Sequence, residues 1–170
     1  MKTKDITTIS FGVASIIAGG FIVLAVSKLM PFPGIKFILM APFLSMMMYV
    51  LSMKIENKYA ILYIGLVFAG IMSLFHVVMG LSIVTTTLLT QVSIIGFIDK
   101  DKRSMLGGIF FSMYTGLTAL IFSKHLIGGI FENVTFIWIG ITVIICAGFG
   151  LVGGIFGKRI LKHLNSIISR

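Results

Sequence analysis

The chain has 170 residues, of which 58% are hydrophobic and only 11% are charged, and its mean hydropathy is +1.12. Fourteen Lys and Arg residues against five Asp and Glu residues give a formal net charge of +9. A soluble domain of this size could not expose so much apolar surface without aggregating, so the composition excludes one and indicates a protein that folds in lipid. The single cysteine, Cys146, excludes a disulfide within the chain and a cysteine-based metal cluster.

Apolar runs separated by short polar segments predict an all-α membrane protein, a six-helix bundle forming one domain over residues 1–170. The predicted transmembrane helices cover about residues 8–30, 36–54, 59–79, 82–98, 104–124 and 134–163. Pro31-Phe32-Pro33-Gly34 separates the first two helices, and the polar cluster Lys54–Lys58 ends the second. The next forty residues, 59–98, carry no charge. As one helix they would be about 60 Å long, twice a hydrocarbon core of about 30 Å, so we expect a break near Met79-Gly80-Leu81-Ser82.

The basic residues are distributed unequally between the two faces of this topology. An even number of spans places both termini on one face, together with eleven of the fourteen basic residues: Lys2, Lys4, Lys54, Lys58, Lys100, Lys102, Arg103, Lys158, Arg159, Lys162 and Arg170. Only Lys28, Lys36 and Lys124 fall on the other face. The positive-inside rule then predicts cytoplasmic N- and C-termini in a multi-pass cell-membrane protein of prokaryotic type. Topology and anionic lipid explain the net charge without a nucleic-acid partner.

The N-terminal segment has an alternative interpretation as a secretory signal peptide. Lys2 and Lys4 precede an apolar run, and Ala25-Val26-Ser27 resembles a cleavage site. The apolar run is long for a signal peptide, and its removal would spoil the charge asymmetry. We therefore expect it to remain as the first helix.

Small residues one helical turn apart mark surfaces where helices can approach closely. Ala14 and Ala18 form such a pair in the first helix, and Gly150/Gly154 and Gly153/Gly157 repeat the spacing in the last. For the alanines, packing inside the bundle competes with docking of a partner helix. The glycines indicate internal packing or a flexible cytoplasmic end.

The basic N-terminus, Ala14 and Ala18 early in the first of six helices, the Pro/Gly-containing loop after it and the length together resemble the S components of energy-coupling factor (ECF) transporters. Lys4-Asp5 resembles the end of the Lys-rich opening of one subgroup. The resemblance implies that Ala14 and Ala18 dock a transmembrane coupling subunit. It also implies that two cytoplasmic ATPases power uptake of a vitamin or similar small organic micronutrient.

The sequence lacks the residues that several kinds of chemistry require. The sequence has no P-loop motif, and no Asp or Glu lies in the middle of a predicted span. Asp99 and Asp101 lie among basic residues at a turn and are interpreted as interfacial salt bridges. We therefore expect neither an enzyme nor a resident cofactor. A metal cargo is also disfavoured, since nickel and cobalt members of this transporter class resemble one another in a second-position histidine where this chain has Lys2.

Candidate ligand contacts are the polar and aromatic side chains of the predicted outer half. They are Lys36, His76, Thr87, Gln91, Tyr114, Lys124, Glu132, Asn133 and Trp138. Seven of the nine have a structural alternative. Lys36 could be an interfacial anchor, His76 could make an interhelical hydrogen bond, and Thr87 could bond within its own helix, as could Thr85 and Thr86 beside it at the predicted start of the fourth helix. Trp138 could belong to an aromatic belt, and Lys124, Glu132 and Asn133 could form a solvated loop.

The sequence thus predicts a membrane subunit that binds a small organic micronutrient from outside, for ATP-driven uptake. An excess of Lys36, Lys124 and His125 over Glu132 suggests an anionic ligand. The main alternative is a membrane-embedded interaction or assembly protein without a transported ligand. A membrane enzyme comes third, because carboxylate pairs are missing.

Overall fold

In a computed structural model of the chain, residues 3–27, 29 and 34–168 are described. Within them the chain forms no strand and six α-helices: α1 (Thr3–Ser27), α2 (Ile35–Lys54), α3 (Ala60–Phe75), α4 (Val77–Ile94), α5 (Lys100–Phe122) and α6 (Phe136–Ile168). A π-helical turn, Ser123–Ile127, and a 3₁₀ turn, Gly129–Phe131, connect α5 to α6. The predicted all-α, six-helix fold is confirmed. Five helices are long and apolar enough to cross a membrane, whereas α3 has only 16 residues.

Consecutive helices run in opposite directions, as their glycine contacts show. Gly12 of α1 faces Leu51 near the end of α2, and Gly19 faces Phe43. Gly65 of α3 packs on Thr87 of α4.

This alternation gives the bundle two distinct ends. We call the "basic end" the one that holds residue 3, the turns 55–59 and 95–99, and residue 158. Nine basic residues lie there: Lys4, Lys54, Lys58, Lys100, Lys102, Arg103, Lys158, Arg159 and Lys162. The opposite end, with Gly34, His76 and the connection 123–135, carries Lys36 and Lys124. Lys2, Lys28 and Arg170 lie outside the described residues, as does the Pro31-Phe32-Pro33 part of the predicted first loop.

The centre of the bundle is formed by α2, α5 and α6, which pack closely because small residues line their contacts. Gly153 of α6 lies directly against the backbone of Pro42 in α2, and Gly157 lies against Met46. Gly108 of α5 meets the backbone of Ser45. The predicted internal packing of Gly153 and Gly157 is therefore correct. Such close backbone approach maximises dispersion contacts, which hold helices together in lipid.

The last helix extends beyond this packed core. At 33 residues it is about 50 Å long, well over a hydrocarbon thickness of about 30 Å. Gly157 packs against Met46 of α2, whereas Lys158, Arg159 and Lys162 beyond it are exposed at the basic end.

The predicted boundary between the third and fourth helices is wrong by several residues. The break lies at a single extended residue, His76 (φ −160°, ψ 119°), and not at Met79–Ser82. Gly80 lies inside α4, where the absence of a side chain lets Ser73 of α3 approach. Sequence reasoning took this glycine for a helix breaker, but it serves the tight contact between two antiparallel helices.

Other boundaries shift by a few residues. Among the described residues α1 begins at Thr3, α5 begins at Lys100 and α6 runs over Phe136–Ile168, while α4 already ends at Ile94. Because α4 starts at Val77, Thr85–Thr87 lie in its middle and do not begin it.

Candidate functional site

A cavity of about 220 Å³ opens between helices α1 to α5 in the half of the bundle away from the basic end. On α2 its lining runs from Lys36 to Leu44, about 12 Å along the helix at 1.5 Å per residue. The lining from Phe68 in α3 to His76, directly after this helix, covers a similar depth. Five helices thus contribute to the wall of one partly open cavity.

The charged and ionisable side chains of the lining lie at the end of the cavity farther from the basic end, which we call its outer end. Lys36, His76 and Ser123 lie at the outer end, where α2 begins and α3 and α5 finish. Ile16, Leu44 and Phe68 lie at the inner end and are buried. A site of this kind combines a few polar groups that orient a molecule with an apolar wall that removes its body from water.

Lys36 follows Gly34, whose positive φ of 95° lets the chain turn into α2. The side chain is half-buried, and its Nζ lies 4.9 Å from the ring centre of Phe37 and 5.6 Å from that of Phe131. Phe131 belongs to the 3₁₀ turn before α6, so the connection from α5 to α6 passes close to the lysine.

His76 is the extended residue between α3 and α4. Its Nδ1 accepts a hydrogen bond from the Val78 amide at 3.3 Å, which caps the start of α4. With Nδ1 as acceptor, the neutral ring carries its proton on Nε2, which remains a donor. The residue predicted to lie within a helix is therefore the hinge of the α3–α4 hairpin and part of the cavity wall.

Three further candidates, Lys124, Glu132 and Asn133, lie in the connection from α5 to α6, and the two charged ones stabilise it. Lys124 Nζ donates to the Val134 carbonyl at 2.6 Å and lies over the Phe136 ring. Glu132 Oε1 accepts from the Gly129 amide at 3.1 Å, next to the positive-φ glycines of the turn. Asn133 is exposed. None of the three belongs to the described cavity lining.

The remaining candidates also lie away from that lining. Thr87 is buried against Gly65 and donates to its own helix at Ile83. Tyr114 hydrogen-bonds Ser93 at 2.9 Å, and Trp138 packs on the small apolar cluster around Leu120.

Gln91 is only 6% exposed, and its side-chain amide has no hydrogen-bond partner among the described residues.

Sequence reasoning missed most of the cavity wall, which is apolar. It includes Phe37, Met40, Phe68, Met72 and Met79. Flexible methionines adapt to irregular gaps, but nothing in a uniformly apolar helix marks which of them faces inward. No local signal in the chain could have selected them.

Hydroxyl side chains of α4 bind this helix to α5. The Thr118 hydroxyl of α5 lies 2.6 Å from that of Thr86 and 3.1 Å from that of Ser82. Thr85 instead donates to its own helix at Leu81. Interhelical hydroxyl bonds of this kind fix the relative position of neighbouring helices in lipid.

Ala14 and Ala18 are both exposed on the outward side of α1. The opposite side of the helix, with Ile9, Val13 and Ile16, is buried in the bundle. The two alanines therefore face away from the part of the bundle that the structure describes. They form a shallow strip next to the large exposed side chain of Phe11, which is 79% exposed.

The part of the chain that the structure describes contains no group of three His, Cys, Asp or Glu side chains placed to hold a metal ion. No protein-family model matches the chain, and no curated protein or solved structure is similar to it.

Proposed function

We propose that the protein is the substrate-binding S component of an ECF-type importer and that it binds a small organic micronutrient in the cavity between α1 and α5. The observation that carries the proposal is the cavity itself. It lies in the half of the bundle away from the nine basic residues, with Lys36 and His76 at its outer end. If the basic end faces the cytoplasm, as the positive-inside rule predicts, the cavity faces the outside.

The size of the cavity supports a small ligand. The cavity has a volume of about 220 Å³. It is smaller than the roughly 300–1,000 Å³ of pockets that hold drug-sized molecules.

Ligand binding is tested by native mass spectrometry of the full chain, gently purified in detergent. We expect a co-purified small molecule. Ala119 lines the cavity, so Ala119→Phe should fill the space and abolish the adduct. Ala25→Phe places the same side chain on the exposed side of α1 and should leave it unchanged. An adduct that survives Ala119→Phe, or none in the unaltered protein, would contradict the proposal.

The exposed alanine strip supports docking of a transmembrane coupling subunit, which carries two ATPases on its cytoplasmic side. Small residues allow the closest helix approach, and here they face away from the bundle. In cells that also express the coupling subunit and ATPases, Ala14→Leu/Ala18→Leu should abolish co-purification and uptake while ligand binding persists. The matched control, Ala25→Leu, lies two turns further along α1. Normal complex formation by the double variant would refute the docking role.

The alternative, an assembly protein without cargo, is favoured by one observation: the Ser82, Thr86 and Thr118 hydroxyls satisfy one another between α4 and α5. If the protein has that function, the purified bundle carries no ligand. The native mass spectrum then shows no adduct either for the unaltered protein or for Ala119→Phe.

A further inference from the structure

Lys36 carries a positive charge beside an apolar cavity, and no carboxylate lies near it. All five acidic residues of the chain belong to its described part: Asp5, Glu56, Asp99, Asp101 and Glu132. Only Glu132 lies at the same end, and it is exposed with one oxygen bound to the Gly129 amide. No carboxylate of the described residues comes within 4 Å of Lys36 Nζ.

The position of Lys36 makes this charge unfavourable. The residue is half-buried and stands in the first turn of α2, where the helix dipole favours anions and no acidic side chain is present. The rings of Phe37 and Phe131 compensate in part, since the electron-rich face of an aromatic ring attracts a cation. An anion beside Lys36 would be attracted by both the ammonium group and the helix terminus.

The rest of the cavity lining determines how polar the remainder of the ligand can be. Below Lys36 the wall is mostly apolar for about 12 Å, down to Leu44, and its polar side chains there are Ser82 and Thr115. Below the outer end the two hydroxyls of the wall have partners, because Ser82 bonds Thr118 and Thr115 donates to Phe111 of its own helix. The third hydroxyl of the lining, Ser123, lies at the same end of the cavity as Lys36. A ligand with several polar groups would bury them without partners, which costs free energy for each group.

We infer that the cavity binds a small monoanion with an apolar body, with the anionic group at Lys36 and the body between α1, α3 and α4 towards Phe68. The inference rests on the proposed function, since it assumes that the cavity binds a small organic molecule. It adds the chemical class of that molecule and the residue that recognises its charge.

The test compares acids with amides of the same shape. The pairs are hexanoate and hexanamide, octanoate and octanamide, and 3-phenylpropanoate and 3-phenylpropanamide. Binding is measured with the full chain in nanodiscs of neutral lipid, and empty nanodiscs correct for partitioning. Hydrogen bonds to a charged group contribute about 1.5–3 kcal/mol, so at least one acid should bind about tenfold or more tightly than its amide.

Three variants assign the preference to Lys36. Lys36→Met should lower acid binding to the level of the amide, and Lys36→Arg should retain most of the preference. Lys54→Met removes the same charge from the exposed far end of α2 and should change nothing. The inference is overturned if no acid is preferred, or if the preference survives Lys36→Met.

Native mass spectrometry separates this failure from failure of the proposed function. A neutral or cationic molecule that co-purifies and is lost in Ala119→Phe would overturn the inference while the proposed function stands. Absence of any ligand sensitive to Ala119→Phe would overturn both. A monoanion with an apolar body, lost in Ala119→Phe and weakened by Lys36→Met, is the expected result.

Discussion

One carboxylate links three helices at the basic end. Asp101 of α5 accepts a hydrogen bond from the Tyr49 hydroxyl of α2 at 2.6 Å and pairs with Lys158 of α6 at 2.6 Å. Tyr49 is only 1% exposed, whereas the Lys158 side chain is 56% exposed. The predicted interfacial salt bridge therefore holds for Asp101, while Asp99 instead caps α5 by accepting from the Asp101 amide.

We predict that Tyr49→Phe destabilises the bundle more than Lys158→Met. A buried hydrogen bond to a charged acceptor contributes about 1.5–3 kcal/mol, whereas an exposed ion pair contributes about 0–1 kcal/mol because water and salt screen it. The free energy of unfolding in mixed detergent micelles measures both. If both variants lose the same free energy of unfolding, or if Lys158→Met loses more, the hydrogen bond from Tyr49 to Asp101 is not the stronger of the two contacts.

Among single residues, the sequence identified two side chains of the cavity lining for a physical reason. A charged or ionisable side chain near the end of an apolar helix is conspicuous, so Lys36 and His76 were identified and both line the cavity. Tyr114 and Trp138 were chosen for their chemistry alone, and they pack elsewhere. A helix that is apolar on all sides has no periodic pattern to show which side faces inward.

At the scale of whole helices, glycines determine how closely α2 and α6 approach. A side chain at Gly153 would collide with backbone atoms of Pro42, which cannot move aside as a flexible side chain can. Gly148, on the same helix, is exposed and has nothing within 4 Å of the same position.

These two glycines make a matched pair. Gly153→Ala should destabilise the bundle by about 1–3 kcal/mol through overpacking. Gly148→Ala should be neutral or stabilising by up to about 1 kcal/mol, because alanine favours helix more than glycine. Thermal unfolding in detergent compares the two. Equal midpoints for both variants would show that α2 and α6 do not touch at Pro42.

The number of helices could be predicted because hydrocarbon thickness limits the length of a span, but the break at His76 could not. Residues 59–98 are uniformly uncharged, so the composition fixes no boundary within them. The break depends on the α3–α4 hairpin, where Gly65 and Gly80 provide close contacts with Thr87 and Ser73. Glycine indicates a turn in an isolated sequence and close packing in a hairpin, and only the three-dimensional contacts distinguish them.

For the whole molecule, the proposed uptake function needs the two ends of the bundle to lie on defined sides of the membrane. Nine described basic residues lie at one end, and the cavity opens in the other half. The positive-inside rule predicts that the basic end lies in the cytoplasm. In that orientation the cavity would take ligand from outside, and Ala14 and Ala18 would lie in the half of α1 nearer the cytoplasm.

The most direct measurement is labelling of single cysteines in intact cells with a membrane-impermeant maleimide, in a Cys146→Ala background. His125 is exposed at the cavity end, and Lys102 is exposed at the basic end. We predict that His125→Cys is labelled in intact cells and that Lys102→Cys is labelled only after the membrane is permeabilised. Labelling of Lys102→Cys in intact cells, with His125→Cys protected, would place the cavity on the cytoplasmic side and contradict the proposed uptake function.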